Sequence, residues 1–460
     1  MKGNKILYCI CSLGLLSGCA TYQPVKLDAT ATLNTKVEQL KVDASQHMEL
    51  PKRWRSSSIG IDDGLNEAEL IQLAVLNNPH LAAVQSMLKE ANAQLIQAGL
   101  LPDPQLSLSA DIPRGNDPTL VTGYGIGLGF DLQSLITRGA RQSAATKQAR
   151  AVYLQVLWQE WQVIGQARML YRRALMQQQQ VELTHNQFLQ TQTNWQLQQH
   201  ALKRGNATLD AEGLARTAMM DGETAWFEAK RQYSTTMHKL ALLLGLSPQT
   251  ELLLSSPEQG VASLLNQPVS ADKLQELLNH IDHKRPDLLA LKAGYAAQEA
   301  KVREQILTQF PSFTIGANSL RDTGNIWTLG PFINLNLPLL NGNRGNIAIA
   351  RATRSRLQAE YRDRLTAAEV EAHRLVSDQQ LAFDELRALQ DKLPELNVMM
   401  QQMRKALAGG NVDMLTFTTL QNSHFAQRMK VLLLEQAVME QTVALDTLLG
   451  SLPLPAGAHE

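Results

Sequence analysis

The chain repeats itself. Pro79, Pro104 and Arg114 each recur 207 residues later, as Pro286, Pro311 and Arg321. Arg138-Gly139 returns as Arg344-Gly345 at an offset of 206, and Leu244-Gly245 with Pro248 returns as Leu449-Gly450 with Pro453 at an offset of 205. Two copies of one unit of about 205 residues therefore fill most of the 460 positions, and two or three unrelated domains are excluded. The boundaries follow: a first repeat over 62–254, a linker over 255–272 with Pro257 and Pro268, a second repeat over 273–450 and a tail over 451–460.

Each copy holds two strand-like runs. In the second, Phe313, Ile315 and Ala317, then Trp327, Leu329, Ile333, Leu335 and Leu337, fall on alternate positions, with Thr, Gly and Asn between them. A period of two marks strands, and Asp322-Thr323-Gly324-Asn325 between the runs makes a hairpin over 311–338. In the first, Leu106, Leu108 and Ala110 alternate with Ser107 and Ser109, the chain breaks at Arg114 to Pro118, and Tyr124 to Phe130 completes a hairpin over 104–131. One face is apolar and the other small and polar, which suits lipid or core on one side and water on the other. Tyr124, Phe130, Phe313 and Trp327 stand near the strand ends, where an aromatic girdle belongs.

The rest reads as helix. Glu67 to Gly99 has helical spacing with a kink expected at Pro79. Beyond Arg138-Gly139 a helical pattern without proline runs to about Lys203, some 95 Å at about 1.5 Å per residue. Such a rod is buried by a coiled coil, with Leu154, Trp158, Trp161, Ile164, Phe188, Trp195 and Leu202 as its apolar spacing and Gln177 to Gln180 expected on a solvated face. It reverses at Gly205-Asn206, with Thr208 or Asp210 as cap of a return helix to about Leu244. The second copy repeats this from Asn346 to Leu407, with Pro394 inside, turns at Gly409-Gly410-Asn411, and returns to Leu449. A short helix over Ala271–Asp282 separates the copies.

Acidic and basic residues balance at 43 each, so nothing draws the chain to nucleic acid. No run of about 18 uncharged apolar residues lies beyond the N-terminus, so no membrane-spanning helix is expected. The N-terminus itself is a signal peptide over 1–18: Lys2 and Lys5, an apolar run from Ile6 to Leu16, then Leu16-Ser17-Gly18-Cys19, which resembles a bacterial lipobox. Cleavage before Cys19 leaves a lipidated cysteine, the only one in the mature chain, and a tether expected to be extended over 19–61. No Walker loop, nucleophile elbow or nucleotide fingerprint is present, and His280-Ile281-Asp282-His283 lacks further ligands, so no enzyme, metal site or cofactor beyond the lipid is expected.

Four strands per chain are too few for a membrane barrel, which takes about eight or more, and open edges cannot face hydrocarbon. An oligomer must close the cylinder, and three copies supply twelve strands.

Several stretches resemble the TolC-like outer membrane factors, lipoprotein branch: Asn78-Pro79-His80-Leu81, Arg285-Pro286-Asp287-Leu288, Leu101-Pro102 and Phe310-Pro311 before the hairpins, Asn343-Arg344-Gly345, and the two glycine-centred helical turns. The resemblance implies a mainly α fold with a small β part: long antiparallel coiled-coil helices forming a periplasmic α-barrel, and four strands per chain in a trimeric twelve-stranded transmembrane β-barrel. It implies a homotrimer lipid-anchored in the outer membrane, a periplasmic adaptor and an inner membrane pump. Arg204, Gly205, Asn206 and Leu209, and Gly410, Asn411 and Leu415, are the adaptor-contact tips by resemblance, although Ala408-Gly409 stands where a basic residue is frequent. Asp413 is either a gate carboxylate repeated round the three-fold axis or the N-cap of the return helix. The function implied is an exit duct for drugs or metal ions in tripartite efflux; the alternatives are type I polypeptide secretion and a non-channel scaffold lipoprotein.

Overall fold

A computed structural model describes residues 22–27, 33–40, 64–114, 118–257, 260–265 and 267–450. Cys19, the signal segment and the tail with Pro453 lie outside the described residues.

Two helices precede the first hairpin, α1 (Glu67–Asn77) and α2 (Pro79–Gly99), rather than one kinked helix. Pro79 forces Asn78 into an extended conformation (φ −61°, ψ 120°), and Asn78 then caps α2, its Oδ1 accepting from the Leu81 N–H at 3.1 Å. β1 (Gln105–Asp111) and β2 (Gly123–Asp131) follow, then α3 (Gln133–Lys203) and α4 (Leu209–Leu243). The short helix expected over 271–282 is two pieces, α5 (Ala271–Leu278) and α6 (Ile281–Lys284). The second copy then gives α7 (Pro286–Leu307), β3 (Ser312–Arg321), β4 (Trp327–Asn336), α8 (Arg344–Ala408) and α9 (Met414–Leu448).

The long helices begin sooner than their sequence pattern suggested. Asp131 accepts from the Gln133 N–H at 3.0 Å, so helix starts directly off β2 and absorbs Arg138-Gly139. Arg138 then binds the Gly99 carbonyl through Nε (3.0 Å) and Nη2 (2.8 Å), capping the end of α2 with positive charge. With 71 residues, α3 is about 106 Å long, and the 65 residues of α8 reach about 98 Å, uninterrupted at Pro394.

The helices form a layer one helix thick. Adjacency runs α2–α3–α7–α8 in the half next to the sheet and α4–α3–α9–α8 in the distal half. Between the halves lies the largest apolar cluster, where Leu70, Leu73, Trp161, Ala167, Tyr171, Leu240 and Leu244 are buried. Buried charge ties it to the second copy: Glu67 accepts from Arg168 (3.1 Å) and Arg172 (3.2 Å), and Arg168 also reaches Asp446 (2.9 Å). The N-terminal segment is not merely extended. Asn34 bridges to Leu246, and a 3-10 turn over Val37–Gln39 buries Val37 and Leu40 in the same cluster.

The glutamine-rich stretch divides: Gln178 is exposed and Gln179 half-buried, as a solvated face requires, but the other two are not. Gln177 and Gln180 are buried, not solvated, and Gln180 belongs to a polar seam between α3 and α9. Arg173, Gln180, Gln187 and Asn194 stand seven residues apart, one per heptad, and pair with Glu440, Gln436, Asn422 and Gln421. Amide pairs hold geometry, yet water can replace each partner at little net cost.

Candidate functional site

The four strands form one antiparallel sheet in the order β1-β2-β3-β4, so the two hairpins join through β2 and β3. Register fixes the faces. Leu108, Ile126, Ser319 and Leu329 share one row, and Leu106, Leu128, Ala317 and Pro331 the next. Along the whole of that face the side chains are apolar except Ser319 and Arg321, and they are uncovered: Ile315 is 41% exposed and Leu329 80%. The opposite face carries Ser107, Ser109, Gly125, Gly127, Thr314, Asn318, Gly330 and Asn334, with Leu320 and Phe332 as its two large apolar side chains. Both lie over glycine. A Cβ on Gly125 would sit 2.6 Å from Leu320 Cδ2, and one on Gly316 would sit 2.5 Å from Phe332 Cζ, so these side chains rest flush against the wall.

The aromatic residues fall at two levels. Tyr124 and Trp327 flank Arg321 in one row, and Phe130 opposite Ile315 and Phe313 opposite Leu335 lie at the helix end. Eight steps along β3 take Arg321 to Phe313, about 27 Å of strand at about 3.4 Å each and about 21 Å of height at a tilt of about 40°, a little under the apolar band of about 25 Å of a bilayer-spanning barrel. Neither β1 nor β4 has a partner on its outer edge within the described residues.

At the far end of the rods are the two turns. Both are Schellman closures: the Asn206 N–H bonds to the Ala201 carbonyl (2.8 Å) with Gly205 at φ +76°, and the Asn411 N–H to the Ala406 carbonyl (2.9 Å) with Gly410 at φ +72°. Nothing lies within 4 Å of a Cβ placed on either glycine. Arg204, Gly205, Asn206 and Leu209, and Gly410, Asn411 and Leu415, are all exposed. Leu209, at 72%, and Leu415, at 57%, stay uncovered although they are large and apolar. The structure therefore gathers all seven predicted tip residues at two exposed ends. Thr208, not Asp210, caps α4.

Asp413 is the N-cap of α9: its Oδ1 accepts from the Thr416 N–H (2.8 Å) and its Oδ2 from the Thr416 hydroxyl (2.7 Å). Those donors hold its carboxyl below the ordinary value near 3.8. Because the folded value is depressed, the cap stabilises above the ordinary carboxylate range and is lost as pH falls through the lowered value. Asp413→Ala is expected to lower the melting midpoint at neutral pH, with the difference from wild type vanishing in acid. Asp413→Asn keeps the cap and removes the charge; unchanged cation selectivity in that variant leaves capping as the role.

Sequence reasoning missed Arg285. It is buried, grips Asp287 through Nε–Oδ1 (2.9 Å) and Nη2–Oδ2 (2.7 Å), and stacks 5.0 Å from the ring of Trp158 on α3. The only signal was the Arg-Pro-Asp-Leu stretch itself. His280 precedes α6, and His283 lies 3.5 Å from Asp282.

Residues 277–451 match the family described as outer membrane efflux protein. Over 413 residues the chain is 23% identical to the pyoverdine export outer membrane protein OpmQ of Pseudomonas putida, covering 83% of this chain and 85% of the relative. It is 23% identical over 410 residues to the cation efflux system protein CusC of Escherichia coli, with the same coverage of 83% and 85%. A crystal structure of CusC superposes with a TM-score of 0.69 at 18% identity, covering 94% of this chain and 100% of that one. The second copy of the duplicated unit thus carries the outer membrane efflux protein domain over residues 277–451, and the whole chain shares the fold of the CusC structure.

Proposed function

We propose that the protein is the outer membrane channel of a tripartite efflux system, a passive exit duct for small molecules such as drugs or metal ions. The observation that carries this reading is the sheet: an uncovered apolar face nearly as tall as the apolar band of a bilayer-spanning barrel, a small polar face behind it, and two unpaired edges, mounted on a rod of about 106 Å. Backbone groups on those edges require partners in hydrocarbon. Three protomers joined β4 to β1 give a closed twelve-stranded barrel, and the helical layer closes beneath it into a tunnel. That relatives serve pyoverdine export and cation efflux supports small cargo. Cys19 carries the lipid that anchors the chain to the membrane.

The test is the purified, detergent-solubilised protein added to a planar bilayer. Ion-conducting pores from a trimeric species are expected; a monomer without conductance would refute the channel.

The tips are the docking points for the periplasmic adaptor, through which the inner membrane pump is engaged. Leu209→Glu with Leu415→Glu is expected to weaken adaptor binding about thirtyfold, the loss of two anchors worth together about 2 kcal/mol, while pore formation persists. Unchanged binding and unchanged efflux-dependent resistance would rule the tips out.

A further inference from the structure

The membrane-facing side of the sheet bears a single charged residue, Arg321. Its row reads Ala110, Tyr124, Arg321, Trp327 across the four strands, so Arg321 is flanked by two aromatic residues at direct cross-strand positions. Tyr124 and Trp327 are 56% and 68% exposed. Arg321 Nε donates to Asn325 Oδ1 at 2.9 Å, and the adjacent Asp322 is occupied by the Ile326 N–H, also at 2.9 Å. Among the described residues no carboxylate forms an ion pair with Arg321. A planar cation held by one nitrogen still offers its other donors as a fork, the geometry that takes a phosphate through two parallel hydrogen bonds.

The row's height decides the kind of anion. It lies at the loop end of the strands, opposite the helices, and so at the outer surface of the membrane if the channel reading holds. Aromatic rings at that level sit among head groups, and an arginine there extends toward them. We propose that Tyr124, Arg321 and Trp327 form a lipid-phosphate site on the outer rim of the barrel. Arg321 binds the phosphate of an anionic outer-leaflet lipid, and the two rings lie against the root of its acyl chains. Three such sites, one per protomer, would fix the height of the barrel in the bilayer. The inference rests on the membrane orientation proposed above.

The experiment uses the full-length trimer in detergent, exposed in parallel to bis-phosphorylated lipid A and to the same lipid with its phosphates removed. Lipid retained per trimer after washing is measured by mass spectrometry. The wild type is expected to retain the phosphorylated form about tenfold better, the advantage of one charge-assisted contact. Arg321→Gln should bring the two lipids to parity while still forming pores, and Arg321→Lys, which keeps the charge and loses the fork, should fall between. Arg114→Gln alters the equivalent loop arginine, which follows β1 and lies outside the paired row, and should keep the wild-type preference. Inorganic phosphate at millimolar concentration should not displace the lipid. Equal retention of both lipids by the wild type, an undiminished preference in Arg321→Gln, or an equal loss in Arg114→Gln would overturn the site. Displacement by inorganic phosphate would overturn the lipid as its occupant. Failure of the wild type to form pores would instead strike the channel reading beneath it.

Discussion

Arginine in place of Leu329 is expected to impair insertion of the channel strongly, whereas arginine in place of its neighbour Gly330 is expected to leave it intact. The two positions are consecutive on β4, but Leu329 shares the apolar outward row with Ser319, Ile126 and Leu108, while Gly330 shares the inward row with Asn318, Gly127 and Ser107. Leu329 lies a quarter of the way from the Trp327 row to the Leu335 row, where an arginine facing hydrocarbon costs about 1–2 kcal/mol, between the midplane and interface values. Three-fold repetition raises this to about 3–6 kcal/mol per trimer, comparable with the stability of a marginal domain. At Gly330 nothing lies within 4 Å of a new Cβ, and the longer side chain extends into the watery bore. Outer-membrane fractionation with a heat-modifiability gel separates the outcomes. Equal insertion of both variants would reverse or cancel the assigned faces.

The second large effect is expected at Asp287. Replacing it with alanine leaves Arg285 charged and only 5% exposed. The fork to Asp287 is then lost, and Nη1 already lacks a hydrogen-bond partner. Breaking a buried pair from one side costs about 3–5 kcal/mol, because the remaining charge keeps its desolvation penalty. The site is also the joint between the copies, since Arg285 from the second rests on Trp158 of the first. Asp287→Ala should therefore lower the thermal midpoint sharply and reduce trimer yield, with Asp287→Asn milder because one acceptor survives. Glu276→Gln, which breaks the exposed pair with Lys273, should not move the midpoint measurably. A midpoint equal to wild type in Asp287→Ala would show that water reaches Arg285 and that the pair is not structural.

Both predictions rest on features of unequal legibility. The hairpins could be read in advance because period-two alternation and polar breaks act within a dozen residues: Phe313, Ile315 and Ala317 already show their common face in the bare chain. The tips were legible for the same local reason, since Gly205 and Gly410 must adopt positive φ to close a Schellman turn. Duplication gave the order of everything else. The glutamines misled because amide side chains suit solvent and a seam equally well, and only the approach of α9 to α3 decides between them. The break at Asn78 was hidden as well, because a proline inside a helical pattern allows either a kink or a new first turn; Asn78 settled the matter by donating 2.9 Å to the Leu243 carbonyl of α4.

The chain by itself determined its elements, their twofold repetition, and which side of each strand rejects water, because these follow from spacing along one backbone. Tertiary structure alone decided that β2 meets β3, that Arg285 of one copy sits on Trp158 of the other, and that a row of glutamines lies inside. Those are contacts between residues as much as 256 positions apart, chosen by how rods pack, and no local pattern encodes them.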